Sequence, residues 1–272
     1  MTHRSAHRLT DRVALVTGGG SGIGRATAPA FAREGATVAV AGPEPEDLEQ
    51  TVKLIRQAGG PASPVTADLT RGPDVIRVVR TTVERHGGLH VAFNNSGVTG
   101  PVRPVADLCE VTWSDVLATN LTGVWLCVKH EVRHMREHGG GVIVNTACNV
   151  GVHGRLPAFG AYAASNAALS ALTRTAAREY ISEGIRINAV SPGRTGTEKS
   201  GRAEATASRA GRGATPEEIA NTVLRLASDE SESAVGHDLV PAGGVSNMPP
   251  AAALDPRRGT SPTTDGSAGR RV

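Results

Sequence analysis

Residues 12–24 join an apolar, β-branched run, Arg-Val-Ala-Leu-Val-Thr, to the glycine-dense turn Thr17-Gly-Gly-Gly-Ser-Gly-Ile-Gly24. No other stretch limits the fold as much. A short apolar run closed by glycines reads as a buried strand, and residues 22–34 read as a helix that stops before Gly35. Glycines between strand and helix let the backbone approach a pyrophosphate closely, and the helix N-terminus offers unpaired N–H groups to it. The strand–turn–helix context makes this a nucleotide-binding turn rather than a purely structural one.

The same alternation continues along the chain. Strands are expected at 36–41, 62–67, 89–93, 141–146, 185–190 and near 237–241. Helices are expected at 45–58, 73–86, near 112–138, 161–182 and 216–227. Apolar strands alternating with helices imply a parallel sheet covered on both faces. Right-handed crossovers then give a Rossmann-like, doubly wound parallel α/β sheet in a single domain. That domain is expected over 11–248, between a flexible tail at 1–10 and a disordered tail at 249–272, which lacks periodicity. Segment 194–215, rich in Gly, Arg, Thr and Ser, reads as a loop. Pro29, in the interior of the first helix, is expected to kink it at a cost of ~3 kcal/mol.

Charge and cysteine content exclude several functions. The formal net charge is +3, but each tail carries +2, which leaves the body at −1. Basic tails on a near-neutral body are not a nucleic-acid footprint, so no nucleic-acid partner is expected. No apolar run nears the ~20 residues that span a bilayer, and the first residues lack a secretion signal. Cys109, Cys127 and Cys148 are odd in number and have no ligand spacing, which favours a reducing cytoplasm. His130, His134 and His138 share one helix face at spacings of four, but near a helix C-terminus they read as dipole partners, and no metal is expected.

Further motifs fall at strand ends: Asp68-Leu69 after the third strand, Asn94-Asn95-Ser96-Gly97 after the fourth and Pro192-Gly193 after the sixth. With Asn120 in the long helix and Tyr162 opening a later one, the chain resembles the short-chain dehydrogenase/reductase family over roughly residues 10–246. The resemblance implies an NAD(H)- or NADP(H)-binding oxidoreductase acting on a small-molecule substrate, assembled as a homodimer or homotetramer. It assigns Gly18, Ser21, Ile23 and Gly24 to the pyrophosphate turn and Asp68 and Leu69 to the adenine. Asn95 and Gly97 join the cofactor crevice, and Pro192, Gly193, Thr195 and Thr197 hold the carboxamide end.

The resemblance makes Tyr162 the proton donor and Asn120 the support of a water relay. In the family a lysine four residues after the tyrosine lowers its pKa; here that position is Asn166. The family's carbonyl-polarising serine aligns with Cys148, and an S–H is a weaker donor than an O–H. Without a nearby cation, a Tyr of pKa ~10 is about one part in a thousand phenolate at pH 7, so ketone reduction suffers less than alcohol oxidation. A nucleophilic Cys148 would need an electropositive neighbour, His153 being nearest in sequence, whereas a small buried side chain filling the serine site is the simpler reading. Gly42 and Pro43 stand where relatives place the residues that select NAD or NADP, so neither cofactor is favoured and adenosine-side affinity is expected to be reduced. Three readings result: a ketone reductase working through Tyr162; a non-redox enzyme on the same fold, for cyclisation, dehydration or hydrolysis; and a non-catalytic dinucleotide-binding protein.

Overall fold

The structure, a computed structural model, describes residues 7–152, 156–193 and 214–241. In chain order the first half comprises β1 (Val13–Thr17), α1 (Gly22–Arg33), β2 (Thr37–Gly42), α2 (Pro45–Gln57), β3 (Ala62–Thr66), α3 (Gly72–His86) and β4 (Val91–Asn94). Then come α4 (Glu110–Leu117), α5 (Val124–Glu137), β5 (Gly141–Thr146), α6 (Asn149–Val152), α7 (Gly160–Tyr180), β6 (Ile185–Val190), α8 (Pro216–Ala227) and β7 (Asp238–Leu239). The strands form one parallel sheet in the order β3-β2-β1-β4-β5-β6-β7. The chain therefore leaves β1 towards one edge and returns beside it as β4 to build the other half. That reversal opens a crevice at the carboxyl ends of β1 and β4, where sheets of this kind bind ligands.

The inner strands bury residues on both faces, and these divide by alternation. Leu15, Ala39, Ala92 and Ile143 face a layer built from α3, α5 and α7. Val16, Val38, Val40, Phe93 and Val144 face α1, α2 and α8. The ends of α8 show how local chemistry sets an element's limits. Thr215 accepts from the Glu218 N–H, and the Glu218 carboxylate accepts from the Thr215 N–H, a reciprocal cap before Pro216. Beyond its other end the buried Arg186 guanidinium donates to the carbonyls of Leu226, Ser228 and Ser231. The Ser228 and Ser231 carbonyls also accept from the N–H groups of Ser231 and Ala234, so Arg186 adds to the bonds that close this end of the helix.

Three expectations change. The long helix near 112–138 is interrupted: Ala118–Gly123 forms a π-helical turn between α4 and α5. At Gly123 the Leu69 carbonyl packs so close that a Cβ would lie 3.0 Å from it, a tertiary contact invisible to helical periodicity. The last strand shrinks to Asp238–Leu239, and α6 was not anticipated. Pro29 lies inside α1, which continues to Arg33 and packs along α8.

Just before α7, Ala158 adopts φ 68°, in the left-handed region. It follows Pro157, as the third residue of a type II turn would, a position that favours glycine. The Ala158 carbonyl accepts from the Arg103 N–H at 3.0 Å, which ties this turn to the loop after β4. Because a left-handed Ala is strained by ~1–2 kcal/mol, and Gly loses more chain entropy on folding, A158G is expected to stabilise the fold by about 1 kcal/mol. Thermal melting checks this; a lower melting temperature would show that the Ala158 methyl contributes more than its backbone strain costs.

Candidate active site

The crevice is built first from glycines that tolerate no side chain. Gly18 has φ 60°, and a Cβ there would lie 3.0 Å from the Ser96 backbone; a Cβ on Gly24 would collide with the Gly18 carbonyl. Thr17, at the end of β1, receives the Asn95 N–H on its hydroxyl at 3.0 Å, and Asn95 Nδ2 reaches back to the Gly18 carbonyl at 3.4 Å. Asn95 Oδ1 accepts from Thr146 Oγ1 at 3.2 Å, so the ends of β1, β4 and β5 are laced together. Ser21 caps α1 without a side-chain hydrogen bond, and Ile23 packs on the core beneath. Ser96 Oγ is buried here with no partner in the protein. A cradle closed to any Cβ, an open helix N-terminus and an unpartnered hydroxyl fit a dinucleotide pyrophosphate.

Asp68 and Leu69 follow β3 at the same edge of the sheet. Leu69 is buried, and the exposed Asp68 carboxylate accepts from the Thr70 N–H and hydroxyl. Gly97 sits against Asn120, with 3.4 Å between its would-be Cβ and Oδ1. Asn120 lies in the π-helical turn and is only 5% exposed. Its Oδ1 accepts from the Val98 N–H at 2.8 Å, while Nδ2 donates to the Val98 carbonyl at 2.8 Å and to Ser165 Oγ at 3.1 Å. One amide thus clamps the loop after β4 to α7.

Tyr162 stands in the first turn of α7, edge-on to Phe159. Its hydroxyl hydrogen-bonds the Cys148 thiol, whose S–H donates in turn to the Pro192 carbonyl at 3.5 Å. Burial pushes the Tyr162 phenol well above its ordinary range, reinforced by Cys148 and opposed only in part by the Asn166 amide. Asn166 is buried and spends a donor on the Tyr162 carbonyl at 2.8 Å. Burial likewise raises the Cys148 thiol above its ordinary value, the state of an inert small side chain rather than a thiolate nucleophile. The Pro192 carbonyl also receives the Asn149 N–H at 3.1 Å, and Gly193 follows it.

The structure therefore brings Tyr162, Cys148, Asn166 and Asn120 to the end of the crevice beside Pro192 and Gly193. Thr195, Thr197 and His153 lie outside the described residues, as do residues 1–6, the tail at 249–272 and most of the 194–215 loop, whereas Arg8 pairs with Glu34 and Leu9 is buried. Sequence reasoning missed Glu131, which lies beneath this site, wholly buried on α5. Its Oε2 accepts from Asn94 Nδ2 at 2.9 Å; the same amide donates to Asn145 Oδ1, and Asn145 Nδ2 donates to Thr173 Oγ1. Spacing held the signal: Glu131 is four residues from both Cys127 and Met135, on the apolar face of its helix.

Among the described residues no group of three or more His, Cys, Asp or Glu is placed to hold a metal ion. His134 and His138 stack ring on ring instead, with centroids 4.0 Å apart. All three cysteines are free, and no described helix is long and apolar enough to cross a membrane.

Comparison with known proteins matches the model of the short chain dehydrogenase family over residues 12–208. A curated A-factor type gamma-butyrolactone 1'-reductase from Streptomyces virginiae is 39% identical over 247 residues, covering 87% of this chain and 96% of the relative. A cis-4-hydroxycyclohexanecarboxylate dehydrogenase from Sinomonas cyclohexanicum is 38% identical over 243 residues, covering 87% and 97%. The crystal structure of an NAD+-bound xylitol dehydrogenase superposes with a TM-score of 0.82 at 32% identity, covering 87% of this chain and 100% of that one. These proteins are named as a reductase and dehydrogenases, which gives no support to the non-redox or the non-catalytic reading.

Proposed function

Because the chain belongs to the short-chain dehydrogenase family, we propose that it reduces a ketone on a small ring-bearing molecule with NADH or NADPH, Tyr162 donating the proton. The observation that carries this reading is the Tyr162 hydroxyl, a half-buried phenol whose desolvation keeps it neutral at the end of a dinucleotide crevice. When bound, the dinucleotide supplies the hydride. Gly18, Ser21, Ile23 and Gly24 would hold its pyrophosphate, Asp68 and Leu69 its adenine, and Asn95 and Gly97 the crevice floor. Pro192 and Gly193, with Thr195 and Thr197, would take the carboxamide.

The phenol donates its proton to the developing alkoxide, and it is already in the protonated form that this step requires. Ketone substrate displaces Cys148 as the acceptor of that hydroxyl. Cys148 itself polarises the carbonyl weakly, since its S–H is directed at Pro192. Asn166 stands where the family resemblance places a lysine, so no ammonium lowers the Tyr162 pKa, and the reductive direction is favoured. Both Asn120 donors are taken by Val98 and Ser165, which makes Asn120 a positioning residue for the loop and for α7.

Ring-bearing substrates suit the rim. Val98, Val102 and Val105 are exposed on the loop after β4, and Val105 lies against Gly160, two residues before Tyr162. The names of the two relatives likewise contain a lactone and a cyclohexane ring. The chain acts as a homodimer or homotetramer in this reading, with Trp113 and Trp125 exposed on α4 and α5 for a second copy to cover.

The test incubates the purified chain with substituted cyclohexanones and acyl lactones plus NADH or NADPH, following cofactor absorbance. Ketone-dependent oxidation of either cofactor is the expected result. Its absence across the panel, with cofactor binding intact, would overturn the reductase assignment.

A further inference from the structure

Beside the phosphate turn, α1 and α2 are joined by an ion pair. Arg25 Nη2 lies 3.0 Å from Asp47 Oδ1, and both side chains are partly exposed. Arg25 is one turn beyond Ser21 on the same face of α1, and helical side chains lean towards the N-terminus, so its guanidinium lies back over the turn. Asp47 is the third residue of α2, and its Cβ abuts Gly20, where an added Cβ would lie only 2.8 Å away. Thr51, one helical turn on, donates its hydroxyl to the Gly19 carbonyl at 2.9 Å and fixes α2 against the turn. Next to this pair, β2 ends at Gly42, where an added Cβ would meet the Leu48 side chain at 3.4 Å.

This is the edge of the crevice at which dinucleotide-binding sheets distinguish a free ribose 2′-hydroxyl from a 2′-phosphate, by an acid or by a nearby arginine. Here Gly42 stands at the end of β2 in place of that acid, and the Asp47–Arg25 pair lies against the turn. We propose that this pair selects the cofactor: Asp47 holds the Arg25 guanidinium and repels a 2′-phosphate, so the chain prefers NADH to NADPH. An ionised carboxylate on a guanidinium occupies the fork that a phosphate would otherwise take in bidentate fashion. Removing that charge while keeping the side-chain shape releases Arg25 to a 2′-phosphate.

This inference rests on the dinucleotide reading of the crevice and is tested by binding rather than turnover. NADH and NADPH are titrated against the wild type, D47N and the double variant R25A/D47N, by calorimetry. In the wild type NADH is expected to bind more tightly. In D47N the ratio of the NADPH Kd to the NADH Kd is expected to fall at least tenfold, and R25A/D47N is expected to lose that gain. D47S, which removes the carboxylate in a smaller side chain, is read the same way should D47N fold poorly. A wild type that already prefers NADPH, or a ratio unmoved in D47N or D47S, overturns the selector while leaving dinucleotide binding intact. Failure of the folded wild type to bind either cofactor overturns the dinucleotide reading itself.

Discussion

Replacing Tyr162 by phenylalanine is expected to lower the rate of ketone reduction by a factor of at least ~100, within the 10²–10⁴ range by which a positioned general acid typically contributes. Cofactor Kd should change less than about twofold, because the hydroxyl makes its hydrogen bond to Cys148 and none to the glycine turn. The ring stays edge-on to Phe159, so the fold loses little. Rapid-mixing kinetics with saturating cofactor would separate the two effects. A Y162F enzyme that kept a tenth or more of the wild-type rate would remove Tyr162 as the proton donor. The complementary change, Asn166→Lys with Cys148→Ser, is expected to raise the rate. It places an ammonium near the phenol and gives the carbonyl an O–H donor in place of an S–H.

The second large effect concerns stability rather than turnover. Glu131 has no water contact, and burial pushes its carboxyl up to about 8 from an ordinary value of 4.5, against a smaller opposing pull from the Asn94 amide. Two buried acceptors, Glu131 Oε1 and Asn94 Oδ1, have no donor. A proton on Oε1 would supply one. The folded chain thus binds this proton more tightly than the unfolded chain does. The resulting stability is complete below the unfolded carboxylate pKa and is lost as pH rises through about 8. At roughly 1.4 kcal/mol per pKa unit, the loss between pH 5 and pH 9 is on the order of 4 kcal/mol.

Glu131→Gln is neutral at every pH and can both accept from and donate to Asn94. Its unfolding free energy, measured by denaturant titration, should therefore lack this decline and exceed that of the wild type at pH 9. Histidines 86, 90, 130 and 134, whose pKa values burial lowers, act in the opposite sense. Their stability is lost on acidification in both proteins and cancels from the difference. A difference curve flat from pH 5 to pH 9 would show that Glu131 is ionised in the fold.

These two residues mark the boundary of what one sequence reveals. Tyr162 was legible because its chemistry, its distance from Asn166 and the motifs around it lie within short windows. Likewise Gly18 and Gly24 declare a turn that no Cβ can enter, and Gly141–Thr146 and Ile185–Val190 are apolar runs whose limits coincide with the observed strands. Spacing places Glu131 on the apolar face of its helix, but its partner was not legible, since Asn94 and Asn145 meet only across neighbouring strands. The π-helical turn at Asn120 escaped for the same reason: Leu69, about fifty residues earlier in the sequence, packs against Gly123. Arg25 and Asp47 belong to separate helices, and only the docking of α2 on the phosphate turn makes them neighbours. Local spacing finds elements and motifs, while pairings across the sheet need the assembled fold.

The most direct test of the assignment is a pH–rate profile in both directions on one ketone–alcohol pair. A neutral, half-buried Tyr162 with no ammonium beside it predicts reduction independent of Tyr162 ionisation from pH 6 to pH 9. Alcohol oxidation, which needs the phenolate, should rise about tenfold per pH unit with no plateau up to pH 10. An oxidation rate that levels off below pH 8 would contradict this account, because it would mean that Tyr162 ionises readily without the lysine.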